Sequence, residues 1–142
     1  MGMYLNTSYP KEAYREMVSD PFFVDKSQML EELIPALSKK NRYFCITRPR
    51  RFGKSVMASM IGAFFGKFGE ENELFAHLAI RASESYEKHA AKHNVIYIDF
   101  SQMPEDCTSY RNYISRISKG LKEDLIRQAL YYLPKAYKPS SY

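Results

Sequence analysis

Cysteine is scarce in this sequence: Cys45 and Cys107 are the two among 142 residues. A disulfide framework in so small a chain would need more, and Cys45, set in an apolar run, reads as a buried thiol. Met1 to Tyr9 contain no apolar h-region, so no signal peptide is expected. Residue 6 is Asn rather than Ser or Thr, which breaks the myristoylation pattern. No apolar run approaches the length of a membrane span, so no membrane partner is expected. These absences together lead to the expectation of a reducing, cytoplasmic setting. Internal repeats and low-complexity tracts are missing too. The histidines His77, His89 and His93 have no acid or cysteine at metal-ligand spacing and read as surface residues.

What is present suits a folded domain that meets an anion. Hydrophobic residues make up 45% and aromatic residues 15%, enough for a core and against global disorder. Lys and Arg exceed Asp and Glu by 21 to 16, a net charge of +5, which fits an anionic ligand without separating a nucleotide from a nucleic acid. The length allows one domain, read as residues 1–135 with a solvated tail at 136–142.

Helical patterns are read at Pro10 to Val18, at Lys26 to Leu37 (opened by an Asp25/Gln28 capping box), from Lys54 to about Phe68, and over short spans near Asn72 to Leu78 and Ser83 to Lys92. A long helix is read after Thr108, ended by Pro134. Tyr43 to Thr47 and Val95 to Phe100 have the β-branched and aromatic content of buried strands. Strands alternating with helices predict a P-loop NTPase-type three-layer α/β/α fold with parallel strands. Two strands make a poor foundation for a sheet. The chain is therefore expected to be the front part of a longer α/β domain, or to take strands from a second chain or a further C-terminal region.

Between the first predicted strand and the helix that follows, residues 48–55 read Arg-Pro-Arg-Arg-Phe-Gly-Lys-Ser. The P-loop pattern is Gly, four residues, then Gly-Lys-Ser/Thr; all of it is present except the first Gly, where Arg48 stands. The chemistry needs these residue types. A helix start presents unpaired N–H groups and the positive end of its dipole to phosphate. Gly53 lacks a Cβ and lets the backbone come close. Lys54 supplies a point charge to the β- and γ-phosphates, and the Ser55 hydroxyl is a magnesium ligand. The expected nucleotide-binding residues are thus Arg48, Pro49, Arg50, Arg51, Phe52, Gly53, Lys54 and Ser55, with Lys54 in the catalytic role and ATP with Mg2+ as ligand. Arg48 and Pro49 give the loop a shape of its own, since Arg resists the φ that Gly allows and Pro removes a donor. Arg48, Arg50 and Arg51 either touch phosphate or a partner, or are solvated.

Phe22-Phe23-Val24-Asp25-Lys26-Ser27, then a helix, then Ile46-Thr47 and the loop string, resemble the AAA-ATPase-like family, mostly bacterial proteins often joined to a C-terminal nuclease-like domain of the PD-(D/E)XK type. Arg at the first P-loop position is common in that family. Leu74-Phe75, Leu78-Ala79-Ile80 and Val95 to Phe100 are similar as well, so the resemblance runs to about residue 135. It implies an ATP-binding domain of an AAA-like ATPase, with the Asp25-Lys26 segment near the nucleotide. Without the resemblance, Asp25 reads as a helix cap and Lys26 as a solvated lysine. Hydrolysis needs a Walker B carboxylate. In the family it lies on a later, acid-ended strand that this sequence does not contain. Asp99, at the end of an apolar run, is the candidate metal residue beside Ser55; otherwise it caps the following turn. Asp106, Glu123 and Asp124 read as loop and helix-surface acids, not as a nuclease centre. Two other readings are a nucleic-acid-binding module using Arg42, Arg48, Arg50 and Arg51, and a regulatory fragment inert to nucleotide.

Overall fold

A computed structural model describes residues 2–40, 42–51, 53–67, 73–101 and 104–132, with side chains through residue 130. The chain divides into two compact units, one of Ser8–Val95 and one of Met1–Thr7 with Ile96–Tyr142.

Among the described residues, the first unit holds helices α1 (Tyr9–Val18), α2 (Met29–Leu33), α3 (Lys54–Phe65) and α4 (Tyr86–His89), with 3₁₀ turns at Ile34–Ser38, Glu73–Phe75 and Ala79–Ala82. Helix α1 starts with proline in its first turn, where the missing N–H costs nothing. It closes as the Ser19 and Asp20 N–H groups donate to the Arg15 and Met17 carbonyls, both at 3.2 Å. Pro35, in the middle of the predicted Lys26–Leu37 helix, cannot extend an α-helical ladder, and the chain tightens to a 3₁₀ turn from Ile34. The core lies where α1 packs on α3. Tyr14 stacks on Phe75 at 5.2 Å between centroids, and Phe64 meets Phe75 edge-on at 5.3 Å. Leu30, Met60, Ala63 and Ile80 fill in around them.

The turn at residues 25–27 is tied to the 3₁₀ turn at Ala79–Ala82 by two acceptors. Asp25 Oδ2 accepts from the Ala79 N–H at 2.7 Å, and Ser27 Oγ accepts from the Ile80 N–H at 3.0 Å. Beyond α4, the Ala91 and His93 N–H groups donate to the Phe64 and Phe65 carbonyls, each at 2.8 Å, which satisfies acceptors that the end of α3 leaves open.

In the second unit the long helix α5 (Tyr110–Tyr132) carries Asp124 on a buried face. Its carboxylate accepts from the N–H groups of Met3, Tyr4 and Leu5 at 2.9, 2.7 and 3.1 Å. Close packing requires a glycine at Gly120, since a Cβ there would lie 2.7 Å from the Tyr4 ring.

The expected three-layer α/β/α fold with parallel strands is not found: among the described residues there is no sheet. Tyr43 to Thr47 forms no strand and no helix, with Tyr43 90% and Ile46 41% exposed. Val95 to Phe100 makes one antiparallel bridge, Ile96 to Leu5, and the one parallel bridge joins Gly66 to His93. The physical reason is pairing. A strand satisfies its backbone only against a neighbour, and apolar content alone provides none. The same exposure corrects Cys45, whose thiol is exposed rather than buried.

Candidate functional site

Helix α3 opens on Gly53, in the left-handed region at φ +79°, with no side-chain cap. Left-handed backbone is where glycine is nearly free of cost. Two positions earlier, Arg51 also has a positive φ, 66°. A non-glycine residue held there costs of order 1 kcal/mol or more, and such residues cluster at ligand sites. Phe52, between them, lies outside the described residues.

The first intrahelical bond runs from the Met57 N–H to the Gly53 carbonyl at 3.0 Å. The N–H groups of Lys54, Ser55 and Val56 precede that ladder and have no acceptor among the described residues. They form the positive end of a 12-residue helix. The Ser55 side chain is exposed at this first turn and likewise has no partner among the described residues. The Lys54 ammonium folds back and donates to the Arg48 carbonyl across the loop. Arg42, Arg48, Pro49, Arg50 and Arg51 are all exposed. Of the residues predicted from the sequence, the loop thus brings Arg48, Gly53, Lys54 and Ser55 together at one helix end, with positive charge around them.

For Lys26 the sequence allows a place near the nucleotide or in solvent. Its Nζ lies 3.8 Å from where a Gly53 Cβ would sit, so the ammonium stands beside the loop. A pocket of ≈ 480 Å³ adjoins the same loop, lined by Gly53, Arg51 and Lys26 and by the apolar Phe22, Phe23 and Met57 among others. Tyr14 forms part of the wall; its buried hydroxyl has no hydrogen-bond partner among the described residues. Burial pushes that hydroxyl well above the usual tyrosine range, and the nearby Asp25 charge adds to the rise. Asp25 itself is pulled up by burial. The Ala79 and Ser27 N–H bonds outweigh that and hold it below the ordinary carboxylate range.

Asp99 lies in the second unit. Its Oδ1 accepts from the Ser101 N–H at 2.8 Å and the Ser101 hydroxyl at 2.6 Å, an Asx turn. Asp106 pairs with Arg116 on the surface at 2.6 Å, as befits a loop acid. Asp124 is not the surface acid read from the sequence: it is 4% exposed and holds three backbone donors. Nothing in its spacing signalled this, because the donors come from the far end of the chain. His89 and His93 stack, with Nδ1 and Nε2 3.0 Å apart. Among the described residues no three His, Cys, Asp or Glu side chains group as a metal site, and no helix is long and apolar enough to cross a membrane.

Against known proteins, no curated protein and no solved structure matches the chain. A family model described as Predicted AAA-ATPase matches residues 10–134, from the first turn of α1 to beyond α5. With the loop and its helix lying inside that span, the chain belongs to the AAA-ATPase-like family, and the general kind of activity that goes with it is that of an ATPase.

Proposed function

We propose that this chain binds ATP with magnesium at residues 48–55, as the nucleotide-binding part of an AAA-ATPase-like protein. The observation that supports this best is the start of α3. Gly53 turns left-handed there, no side chain caps the helix, and Lys54 and Ser55 sit exposed on its first turn. A helix N-terminus with its donors open, an ammonium one residue in and a hydroxyl two residues in suits a polyphosphate.

The roles divide among this chain's residues. The open N–H groups and Gly53 receive phosphate oxygens. Lys54 exchanges its contact with the Arg48 carbonyl for the β- and γ-phosphates, a trade of a neutral acceptor for a charged one. Arg48, Arg50 and Arg51 add positive potential at the loop. Ser55 would hold the magnesium together with the nucleotide's own phosphate oxygens, a ligand set that this small, reluctantly dehydrated ion accepts. The metal would neutralise charge on the phosphates. Asp99 Oδ1 accepts from both Ser101 donors, and the magnesium ligands in this reading are Ser55 and the phosphates.

The test is calorimetric titration of ATP, with magnesium and with chelator, into the chain and into Ser55→Ala. We expect chelation to weaken binding about tenfold or more, and the variant to lose most of that dependence. Affinity indifferent to both magnesium and the variant would count against the site.

A further inference from the structure

The phosphate loop accounts for one side of the ≈ 480 Å³ pocket and leaves the rest of it unexplained. We infer that this pocket seats the base of the bound nucleotide, with Phe22 as its stacking face, and that Lys26 is a second ammonium on the phosphates. The inference rests on the nucleotide reading above and deepens it.

Three observations carry it. First, the volume falls within the range of small-molecule sites, and the composition is theirs: an apolar lining with a few charged groups. Lys26 and Arg51 line the pocket together with Gly53, and Asp20 is the one acid among the lining residues. Second, Lys26 has no carboxylate or other partner among the described residues, yet its Nζ is 3.8 Å from the Cβ position of Gly53. Its neighbours Asp25 and Ser27 are fixed by the hydrogen bonds to Ala79 and Ile80, so the backbone that carries Lys26 is held in place. Third, Phe22 is 89% exposed while it lines the pocket, a large apolar ring outside the core. Rings of this kind stack on nucleobases without reading their edges.

The two parts separate experimentally, because inorganic triphosphate has the phosphates and no base. Titrations of ATP and of inorganic triphosphate, each with magnesium, would be run on the unaltered chain and on Lys26→Gln, Phe22→Ala and Lys54→Ala. Far-UV circular dichroism would confirm folding; both new positions are exposed, so neither change should unfold the chain. Lys26→Gln is expected to weaken ATP and triphosphate alike, by about tenfold. Phe22→Ala is expected to weaken ATP by about tenfold and leave triphosphate unchanged. If Lys54→Ala loses ATP while Lys26→Gln and Phe22→Ala bind both ligands as the unaltered chain does, the pocket inference is overturned and the loop reading survives. If Lys54→Ala also binds ATP normally, both fall.

Discussion

Two apolar stretches of the same unit have opposite fates. Phe64 and Phe65, near the end of α3, are buried among Tyr14, Phe75 and Tyr86. Tyr43, Phe44 and Ile46 are as apolar, and all three are exposed. The difference is in how each stretch satisfies its backbone. A helix pairs its own N–H and C=O groups and needs only a partner for one face. An extended segment leaves its donors and acceptors open until another strand arrives. Hydrophobicity therefore decides burial only after the hydrogen bonds have been provided for.

Substitutions can probe that contrast. Phe64→Ala should show the largest effect, since the ring is fully buried: a loss of roughly 3–5 kcal/mol in denaturant unfolding. A loss below about 1 kcal/mol would mean that the α1–α3 core is loosely packed. Next comes Asp124→Ala, which leaves three N–H groups in the second unit without an acceptor, at a cost of about 1–3 kcal/mol.

The same acid sets a pH dependence. Burial raises the Asp124 pKa, but the bonds from Tyr4, Leu5 and Met3, and the nearby Arg127, bring it below the ordinary carboxylate range. A depressed folded value means that the unfolded chain takes up its proton first as pH falls. The contribution is thus complete above the unfolded value of about 3.9 and is lost as pH drops through the folded value. Asp124→Asn should flatten that part of the stability curve in acid unfolding monitored by circular dichroism.

Smaller effects sharpen the other side of the comparison. Tyr14→Phe removes a buried hydroxyl that has no partner among the described residues. In the absence of ligand it should leave the unfolding free energy equal or raise it by up to about 1 kcal/mol. A clear destabilisation would reveal a partner for that hydroxyl. Tyr43→Ser should change stability by no more than about 0.5 kcal/mol, as surface changes do. A cost like that of Phe64→Ala would show that the segment is packed in solution.

The helical part of the architecture could be read from the sequence because its signals are local. Proline in the first turn of α1, the apolar spacing of Val56, Met60, Phe64 and the Gly53-Lys54-Ser55 order each concern residues within a few positions of one another. The failures were non-local. Tyr43 to Thr47 looked like a strand because nothing in a single segment reports whether it has a neighbour. Asp124 looked like a surface acid because its donors lie 119 to 121 positions away. For Lys26, residue type and spacing alone do not separate a loop-side ammonium from a solvated one; its place beside Gly53 is a contact with a residue well along the chain. Cys45 is exposed with the segment that contains it.

The account's central claim is that the start of α3 is a working phosphate site. Its most direct test is calorimetric titration of ATP with magnesium into the folded chain beside Lys54→Ala. Removing the one ammonium on the first turn of α3 should weaken binding by about tenfold to a hundredfold, with the variant's circular dichroism and unfolding midpoint unchanged. Equal affinity in the two proteins, or no binding by the folded chain, would contradict it.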